Sequence, residues 1–429
     1  MNSFAIKTLG CKVNSYESEA VRNDLLSFGY IEHDFNNIAD IYIINTCSVT
    51  NNADSKSRNM ISKARRNNPD ALVIVMGCYS QVSSKEILKQ KLADIIIGNK
   101  YKNNLINLID EYQLEKKTIV KISNLLIEKE FEKNDFVINQ NKTRAYIKIQ
   151  DGCNFMCSYC IIPFTRGKQR SQNFETIINE VKLLVQKGYQ EIVLTGVNIA
   201  GYQNNNHTFY DFLLAINNLE GNFRVRISSI EPFQITDEMI SLITSNKNRF
   251  ANHWHICIQS GSDTILEKMN RKYTSNDIRI LFNKIREKSP DVSISTDVIS
   301  SFPTETENEH LDTINFIKEM KFSSLHVFPF SPRKNTKANT YIEVDPKTKK
   351  IRTDELIKLS DELEKEYLKT FINKEVSVIF ESNNNNVYEG KSSEYLKCIY
   401  HSDEKIIANN IHNFSVNKVF LKTLILEKK

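Results

Sequence analysis

The stretch Gln150-Asp151-Gly152-Cys153-Asn154-Phe155-Met156-Cys157-Ser158-Tyr159-Cys160 places three cysteines at Cys-x3-Cys-x2-Cys spacing directly behind the apolar run Ala145–Gln150. Thiolates are soft ligands that suit iron–sulfur clusters and zinc. A cubane cluster held by four cysteines is coordinatively full and mainly moves electrons. Three cysteines leave one iron open to a substrate. A zinc knuckle is the alternative. It needs a fourth Cys or His at ligand spacing, and the next His is His207. The triad is therefore read as the seat of a cluster.

Outward from the triad, strand and helix patterns alternate six times between Ala145 and about Pro332. The strands are expected at Ala145–Gln150, Glu191–Thr195, Arg224–Ser229, Trp254–Gln259, Val292–Asp297 and Ser324–Phe330. Helical periodicity fills the intervals, including Phe174 to Lys187, Ser275 to Glu287 and Thr306 to Met320. This predicts an incomplete (β/α)6 TIM-like barrel, open on one side. In such barrels the chemistry sits on the loops after the strands, and the cysteine triad follows strand one.

Upstream, three segments repeat one design. Phe4–Leu9 ends in Gly10-Cys11, Ile41–Thr46 ends in Cys47, and Leu72–Met76 ends in Gly77-Cys78. A helical stretch follows each: Asn14 to Phe28, opened by a capping-box-like Asn14-x-x-Glu17; Ala53 to Arg66; and Ser84 to Leu92. Ile95–Gly98 adds a strand. Alternating strands and helices predict a flavodoxin-like parallel α/β domain, with ligands at the carboxyl ends of its strands. Cys11, Cys47 and Cys78 all fall on that edge, so they are expected to share a site. Residues 113–140 are charged and lack this rhythm, and are read as a linker.

Downstream, Thr353 to Phe371 reads as an amphipathic helix through Leu356, Leu359, Leu363 and Leu368. Five short alternating runs follow, at Glu375–Phe380, Val387–Gly390, Tyr395–Tyr400, Ile406–Ala408 and Lys418–Leu426. They predict a small β-barrel. The expected domains are thus 1–112, 141–371 and 372–429, with the linker between the first two. Cys257 and Cys398 sit in strand patterns and read as packing residues.

Composition agrees with this division. A chain of 429 residues implies about three domains. No apolar run approaches the roughly 18 residues of a membrane span. The start, Met1 to Lys7, resembles neither a signal nor a transit peptide. Eight cysteines without such a signal point to metal or catalytic thiols in a reducing cytoplasm rather than to disulfides. A net charge of +5 is modest, so any nucleic-acid contact must come from a local patch.

The triad, with Tyr159 before its last cysteine, resembles the radical S-adenosylmethionine (SAM) signature, in which SAM chelates the open iron through its amino and carboxylate groups. The wider run, Asp151 through Pro163 and then Arg166-Gly167-Lys168-Gln169-Arg170-Ser171, resembles the methylthiotransferases. Thr8-Leu9-Gly10-Cys11-Lys12-Val13-Asn14, Asn45-Thr46-Cys47-Ser48-Val49-Thr50 and Gly77-Cys78-Tyr79-Ser80-Gln81 resemble the three N-terminal motifs of that family, although Ser80 stands where Ala is usual. The resemblance implies two 4Fe–4S clusters, one on Cys153, Cys157 and Cys160 and an auxiliary one on Cys11, Cys47 and Cys78.

It also implies SAM contacts among Tyr159, Thr195, Gly196, Ser229, Glu231, Gln259, Arg271 and Asp297. Asp297 and Glu231 read equally well as helix caps or solvated carboxylates. Ser301 and Thr304 replace two glycines usual in the family, which strains the loop if those positions have positive φ. The C-terminal barrel resembles a TRAM domain, an RNA-binding appendage.

The activity implied is methylthiolation of tRNA. The reduced cluster would cleave SAM to methionine and a 5′-deoxyadenosyl radical, which takes hydrogen from carbon 2 of an adenine. Sulfur from the auxiliary site and a methyl group from a second SAM would follow. The implied partners are the tRNA anticodon loop, an external electron donor and a sulfur source. Arg166, Lys168 and Arg170 are expected to grip the tRNA. Lys12-Val13 resembles the branch acting on N6-threonylcarbamoyladenosine; the branches acting on isopentenyladenosine and on a ribosomal-protein aspartate usually read Gln-Met and Pro-Lys there. A non-enzymatic zinc- and RNA-binding protein is the reading from another class.

Overall fold

The computed structural model describes residues 2–132, 143–247, 249–403, 406 and 410–428. The chain divides into two compact units, one of residues 1–139, 148–172 and 331–339, the other of 140–147, 173–330 and 340–429.

The first unit is built on a parallel sheet of β1 (Ser3–Thr8), β2 (Ile31–Glu32), β3 (Ile41–Thr46), β4 (Leu72–Gly77), β5 (Ile95–Ile97) and β6 (Ile119–Lys121). The strand order is β2-β1-β3-β4-β5-β6, and every neighbouring pair is parallel. Helices α1 (Lys12–Ser27), α2 (Asn51–Asn67), α3 (Cys78–Gln90) and α4 (Leu105–Glu115) complete it.

The sequence of β3 explains this architecture. Side chains alternate faces along a strand. Ile41 and Ile43 join Phe4, Ile74 and Met76 in one core, while Tyr42 and Ile44 join Ala5, Val73 and Val75 in another. A strand apolar on both faces must be covered on both. Each fully buried Ile or Val contributes about 1.5–3 kcal/mol.

Three local expectations change. Helix α1 starts at Lys12, with Cys11 as an N-cap that makes no side-chain cap hydrogen bond. Asn14 and Glu17 are buried rather than forming a capping box. Helix α3 begins at Cys78, earlier than Ser84, and is kinked at Ser83. The segment read as linker from residue 113 still carries the end of α4 and the whole of β6, which pairs with β5 through Ile95 and Ile119. Residues 133–140 of that linker lie outside the described residues.

Next come β7 (Ala145–Lys148) and a short antiparallel pair, β8 (Gln150–Asp151) with β9 (Arg170–Ser171), which closes a loop containing α5 (Ile162–Arg166).

The second unit continues with α6 (Phe174–Gln186), β10 (Glu191–Thr195), the hairpin β11 (Gln203–Asn204) and β12 (His207–Thr208), α7 (Phe209–Asn217) and β13 (Arg224–Ile227). It then runs through α8 (Asp237–Ser245), β14 (His253–His255), α9 (Asp263–Lys268), α10 (Ser275–Lys288), β15 (Ser293–Ser300), α11 (Glu307–Met320), β16 (Ser324–Pro329) and α12 (Pro346–Lys369). Helices α7, α10 and α11 open with capping boxes, Thr208/Asp211, Thr274/Asp277 and Thr306/Glu309, which satisfy otherwise orphaned N–H groups.

The strands form two three-stranded sheets, β7-β10-β13 and β14-β15-β16. Parallel bridges from Val225 to Phe250 and from Ile230 to Ile256 join them. The result is the expected partial barrel, with β7 and β16 at its edges.

The C-terminal strands β17 (Glu375–Asn384), β18 (Val387–Ser392), β19 (Lys397–His401), β20 (Ile411–Phe420) and β21 (Thr423–Glu427) close a five-stranded barrel in the order β17-β18-β19-β21-β20. Val378, Phe380, Cys398, Val416 and Leu424 fill it. The run 418–426, read as one strand, is the end of β20, a turn with Leu421 at φ 52°, and β21. Ile406 is outside any strand, and Ile407 and Ala408 lie outside the described residues.

A buried ion cluster ties this barrel to the larger one. The Glu191 carboxylate accepts from Arg224 Nε at 2.7 Å and Arg226 Nε at 2.8 Å. The outer N–H groups of the two arginines donate to Ser377 O, Ser392 O and Ser393 O at 2.9–3.1 Å.

Candidate active site

Six cysteines lie in the first unit, in two sets. The first set sits on the carboxyl edge of three adjacent strands. Cys11 follows β1, Cys47 follows β3 and Cys78 opens the helix after β4; the register pairs Thr8 with Asn45 and Thr46 with Gly77. Parallel strands in register bring their following loops to the same edge, so residues distant in sequence converge. Cys47 and Cys78 are buried and Cys11 is exposed. Burial, and then the neighbouring Cys78, push the Cys47 thiol up to about 12, with Cys11 adding to the effect.

Gly10 shows how closely this edge is packed. Its φ is +93°, and a Cβ there would lie 2.8 Å from Cys47 Sγ. Asn99 Nδ2 lies 3.7 Å from Cys78 Sγ and donates to Thr165 O at 2.7 Å.

The second set occupies the loop closed by β8 and β9. Cys153 N donates to Gly167 O at 3.0 Å, and Cys160 N to Cys157 O at 3.0 Å. Phe155 N donates to Cys153 Sγ at 3.4 Å. Gly152 has φ +71°, and a Cβ there would lie 2.0 Å from Lys168 O, so only glycine fits. All three cysteines are half-buried. Ala338 N donates to Ser158 O at 2.7 Å. From the same segment, Arg333 donates to Ser48 Oγ at 2.6 Å and Asp54 Oδ2 at 2.7 Å. Residues 331–339 thereby strap the loop after Cys47 and the loop of the second set.

Three free cysteines follow adjacent strands at one sheet edge and three more share one loop, the number and kind of donors that two iron–sulfur clusters require.

Beneath the two sets lies a buried charge cluster that sequence reasoning missed. Glu17 accepts from Lys148 Nζ at 2.7 Å and Arg166 Nη1 at 2.9 Å, and also pairs with Lys102. Asp151 pairs with Lys148 at 2.7 Å and Arg166 at 3.1 Å. Arg166 Nη2 donates to Asn14 Oδ1 at 2.6 Å, and Asn14 Nδ2 donates to Leu9 O at 2.7 Å and Thr46 O at 3.0 Å. Burial raises the Glu17 and Asp151 carboxyls, but Arg166 and the lysines outweigh it. Glu17 ends well below the usual carboxylate range and Asp151 at about 2.

This corrects the expectation for Arg166 and Arg170. Arg166 is 1% exposed and Arg170 6%, and Arg170 donates to Arg166 O at 2.9 Å and Lys168 O at 3.0 Å. Both side chains are buried inside the protein, so neither is placed to grip RNA. Lys168 is exposed.

Of the expected SAM contacts, Tyr159 belongs to the first unit, in the cysteine loop; the others belong to the second unit, where Asp297 lies inside β15 rather than at its end and Arg271 follows α9. Thr195 ends β10 and is buried, followed by the half-buried Gly196; Ser229 is exposed. Glu231 and Arg271 pair with each other, and Arg271 also donates to Cys257 O at 3.0 Å and Tyr273 Oη at 2.7 Å. Burial raises the Glu231 carboxyl despite Arg271.

Asp297 is neither a helix cap nor a solvated carboxylate. His255 Nε2 and His326 Nδ1 each lie 3.2 Å from its Oδ1, and the Cys257 thiol donates to Oδ2 at 3.5 Å. Burial raises Asp297, but the two imidazoles outweigh it and hold the carboxyl well below its ordinary value. Cys257 therefore does more than pack. Gln259, at φ 67°, donates its N–H to Asp297 O at 3.0 Å.

The suspected strain in the loop after β15 is present. Ser301 has φ 53° and Thr304 φ 68°, and Ser301 Oγ is buried without a hydrogen-bond partner. Thr304 N donates to Ile342 O at 3.0 Å, which holds the turn.

Comparison with known proteins agrees with this geometry. Residues 3–98 match the uncharacterized protein family UPF0004, and residues 147–317 match the radical SAM superfamily. The chain is 42% identical to the threonylcarbamoyladenosine tRNA methylthiotransferase MtaB of Bacillus subtilis, over 95% of this chain and 92% of that one. It is 35% identical to the tRNA-2-methylthio-N(6)-dimethylallyladenosine synthase of Clostridium novyi, over 89% and 86%. Among solved structures it resembles the radical SAM methyltransferase TsrM from Kitasatospora setae, with TM-score 0.56 and 12% identity over 79% of this chain and 77% of that one, a likeness of fold alone. The sheet-edge cysteines, the closely spaced cysteine triad and relatives that match nearly the whole chain lead to one conclusion: the chain belongs to the radical SAM methylthiotransferase family.

Proposed function

We propose that the protein converts N6-threonylcarbamoyladenosine, next to the anticodon of tRNA, to its 2-methylthio derivative. The observation that carries this reading is the presence of two complete three-cysteine sets in one compact unit. One set alone would serve SAM cleavage; the pair serves sulfur insertion as well.

Cys153, Cys157 and Cys160 would hold one 4Fe–4S cluster and Cys11, Cys47 and Cys78 the other. When bound, the clusters and SAM supply reductive SAM cleavage, sulfur and methyl transfer at carbon 2 of the adenine. The chain's own part is to bind, orient and exclude water. The pair β8–β9 closes the triad loop, whose three cysteines are half-buried. Thr195, Gly196, Ser229, Gln259 and Asp297 in the second unit are candidate SAM contacts, as is Tyr159 in the first. Glu231 and Arg271 already pair with each other, and that pair holds the backbone at Cys257.

Lys168 is a candidate phosphate contact, and the C-terminal barrel a candidate RNA-binding appendage. Lys12-Val13 after the first cysteine and the greater identity to the threonylcarbamoyl relative support that substrate over the dimethylallyl one. The reaction needs an external reductant and a sulfur source, and its place is the cytoplasm. Among the described residues no helix is long and apolar enough to cross a membrane.

Mass spectrometry of tRNA nucleosides from a deletion strain tests the proposal. The expected result is loss of the 2-methylthio-threonylcarbamoyl nucleoside with accumulation of its unthiolated precursor, restored by the intact gene but not by Cys47→Ala. Loss of the dimethylallyl derivative instead would assign the other substrate.

A further inference from the structure

Lys102, Lys148 and Arg166 surround Glu17 and Asp151 in the first unit, all five nearly without solvent contact. Three cations meet two carboxylates, which leaves one positive charge over. Arg170 Nη2 adds a fourth cation 3.9 Å from Asp151. Glu132 also borders the cluster, but burial pushes its carboxyl up to about 7, so it carries only part of a charge at neutral pH. Uncompensated charge in a low-dielectric interior is costly. Even with Glu132 fully ionised, four cations face three carboxylates at the cluster, and a protein that keeps the remaining positive charge needs a further negative partner.

The hydrogen bonds lead to that partner. Arg166 grips Asn14 and Glu17 on the helix after Cys11. Asn14 grips Leu9 O and Thr46 O, the carbonyls just before Gly10-Cys11 and Cys47. The residue before Arg166, Thr165, accepts from Asn99, which lies against Cys78 Sγ. On the other side Arg166 and Lys148 hold Asp151, whose Oδ1 accepts from Gly152 N, next to Cys153, at 2.8 Å. One guanidinium is thus bonded into the supports of both cysteine sets.

We infer that the Glu17–Lys102–Lys148–Asp151–Arg166 cluster is a positioning device common to both cysteine sets, and that its surplus positive charge raises the reduction potential of the auxiliary cluster on Cys11, Cys47 and Cys78. This rests on the proposed function, which places a cluster there. Three thiolates make such a site anionic, and one added electron makes it more so. A fixed buried cation therefore stabilises the reduced form more than the oxidised form.

The test uses the full chain with Cys153, Cys157 and Cys160 replaced by Ala, so that only the auxiliary cluster is present, and reads its midpoint potential by spectroscopically monitored anaerobic titration. Arg166→Gln should shift the midpoint to lower potential, Arg166→Lys should recover most of that shift, and Glu17→Gln should move it the other way. If Arg166→Gln does not retain iron, Lys102→Met, which leaves the Asn14 bonds intact, should give the downward shift. Equal midpoints in iron-loaded variants of opposite charge change overturn the inference while leaving the proposed function standing. A parent chain that holds no iron overturns the proposed function and this inference with it.

Discussion

The two cysteine sets offer the same donors and are assembled in opposite ways. Cys153, Cys157 and Cys160 are gathered by one loop, held by the short pair β8–β9 and by the Cys153 N–H bond to Gly167 O. Cys11, Cys47 and Cys78 are gathered by topology: three parallel strands in register deliver three separate loops to one edge. The first arrangement depends on local turns. The second depends on the whole sheet, with its two cores, being in place. A site built by topology is as sound as the sheet beneath it, and the buried ion cluster is where that sheet and the loop are fastened together.

The largest expected effect separates the two sets by activity. Cys157→Ala should reduce SAM cleavage to background, because it opens the coordination of the SAM-binding cluster. Cys47→Ala should keep SAM cleavage and yield no methylthio product, measured as 5′-deoxyadenosine against modified nucleoside. Product formation by Cys47→Ala would erase the distinction between the sets.

The fastening comes next. Glu17→Ala leaves Lys102, Lys148 and Arg166 short of a carboxylate, and removing one partner of a buried ion pair costs about 3–5 kcal/mol. Urea unfolding of the first unit should show that loss, and both sets should bind iron less well. A loss confined to one set would mean that the cluster serves that set alone.

The same groups predict an acid response. Glu17 and Asp151 have folded values below their unfolded ones, Asp151 at about 2. Their stabilisation is complete above the ordinary carboxylate value of about 4 and is lost as pH falls toward 2. Urea midpoints should therefore drop below about pH 4, and Glu17→Gln should flatten that drop. An identical pH profile in the variant would remove Glu17 from the account.

Two glycines sharpen the comparison further. Gly10→Ala presses a Cβ against Cys47 Sγ, and Gly152→Ala presses one against Lys168 O. Each should cost about 1–3 kcal/mol. Gly10→Ala should deplete iron from the sheet-edge set and Gly152→Ala from the loop set, read by iron analysis of each variant. The smallest effect lies outside both sets. Thr304→Gly relieves a β-branched residue at φ 68° and should stabilise the second unit by about 1 kcal/mol, measured as a raised Tm.

How much of this was legible in the sequence follows from the range of each signal. Strands β3 and β10 match their expected bounds, Ile41–Thr46 and Glu191–Thr195, because a short run with an apolar centre, Ile41–Ile44 or Ile192–Leu194, is a local signal. The six clustered cysteines were legible because soft ligands at strand ends have few other uses. Asn14-x-x-Glu17 misled, since the spacing that makes a capping box also places both residues on one inward helix face. Arg166 misled for a related reason. Charged side chains are rarely buried unless paired, and its partner Glu17 is 149 residues away, beyond any local pattern. Likewise His255, Asp297 and His326 meet only because β14, β15 and β16 are neighbours, although each was in plain view. The strain at Ser301 and Thr304 could be suspected because two residues that disfavour positive φ occupy a turn.

The central claim is that the first unit carries two independent, complete cluster sites. Anaerobic reconstitution followed by iron and sulfide analysis tests it directly. The account predicts about eight irons per chain for two cubanes, about four when Cys153, Cys157 and Cys160 are replaced by Ala, and about four when Cys11, Cys47 and Cys78 are replaced instead. About four irons in the unaltered chain, or zinc in place of iron at either set, would contradict it.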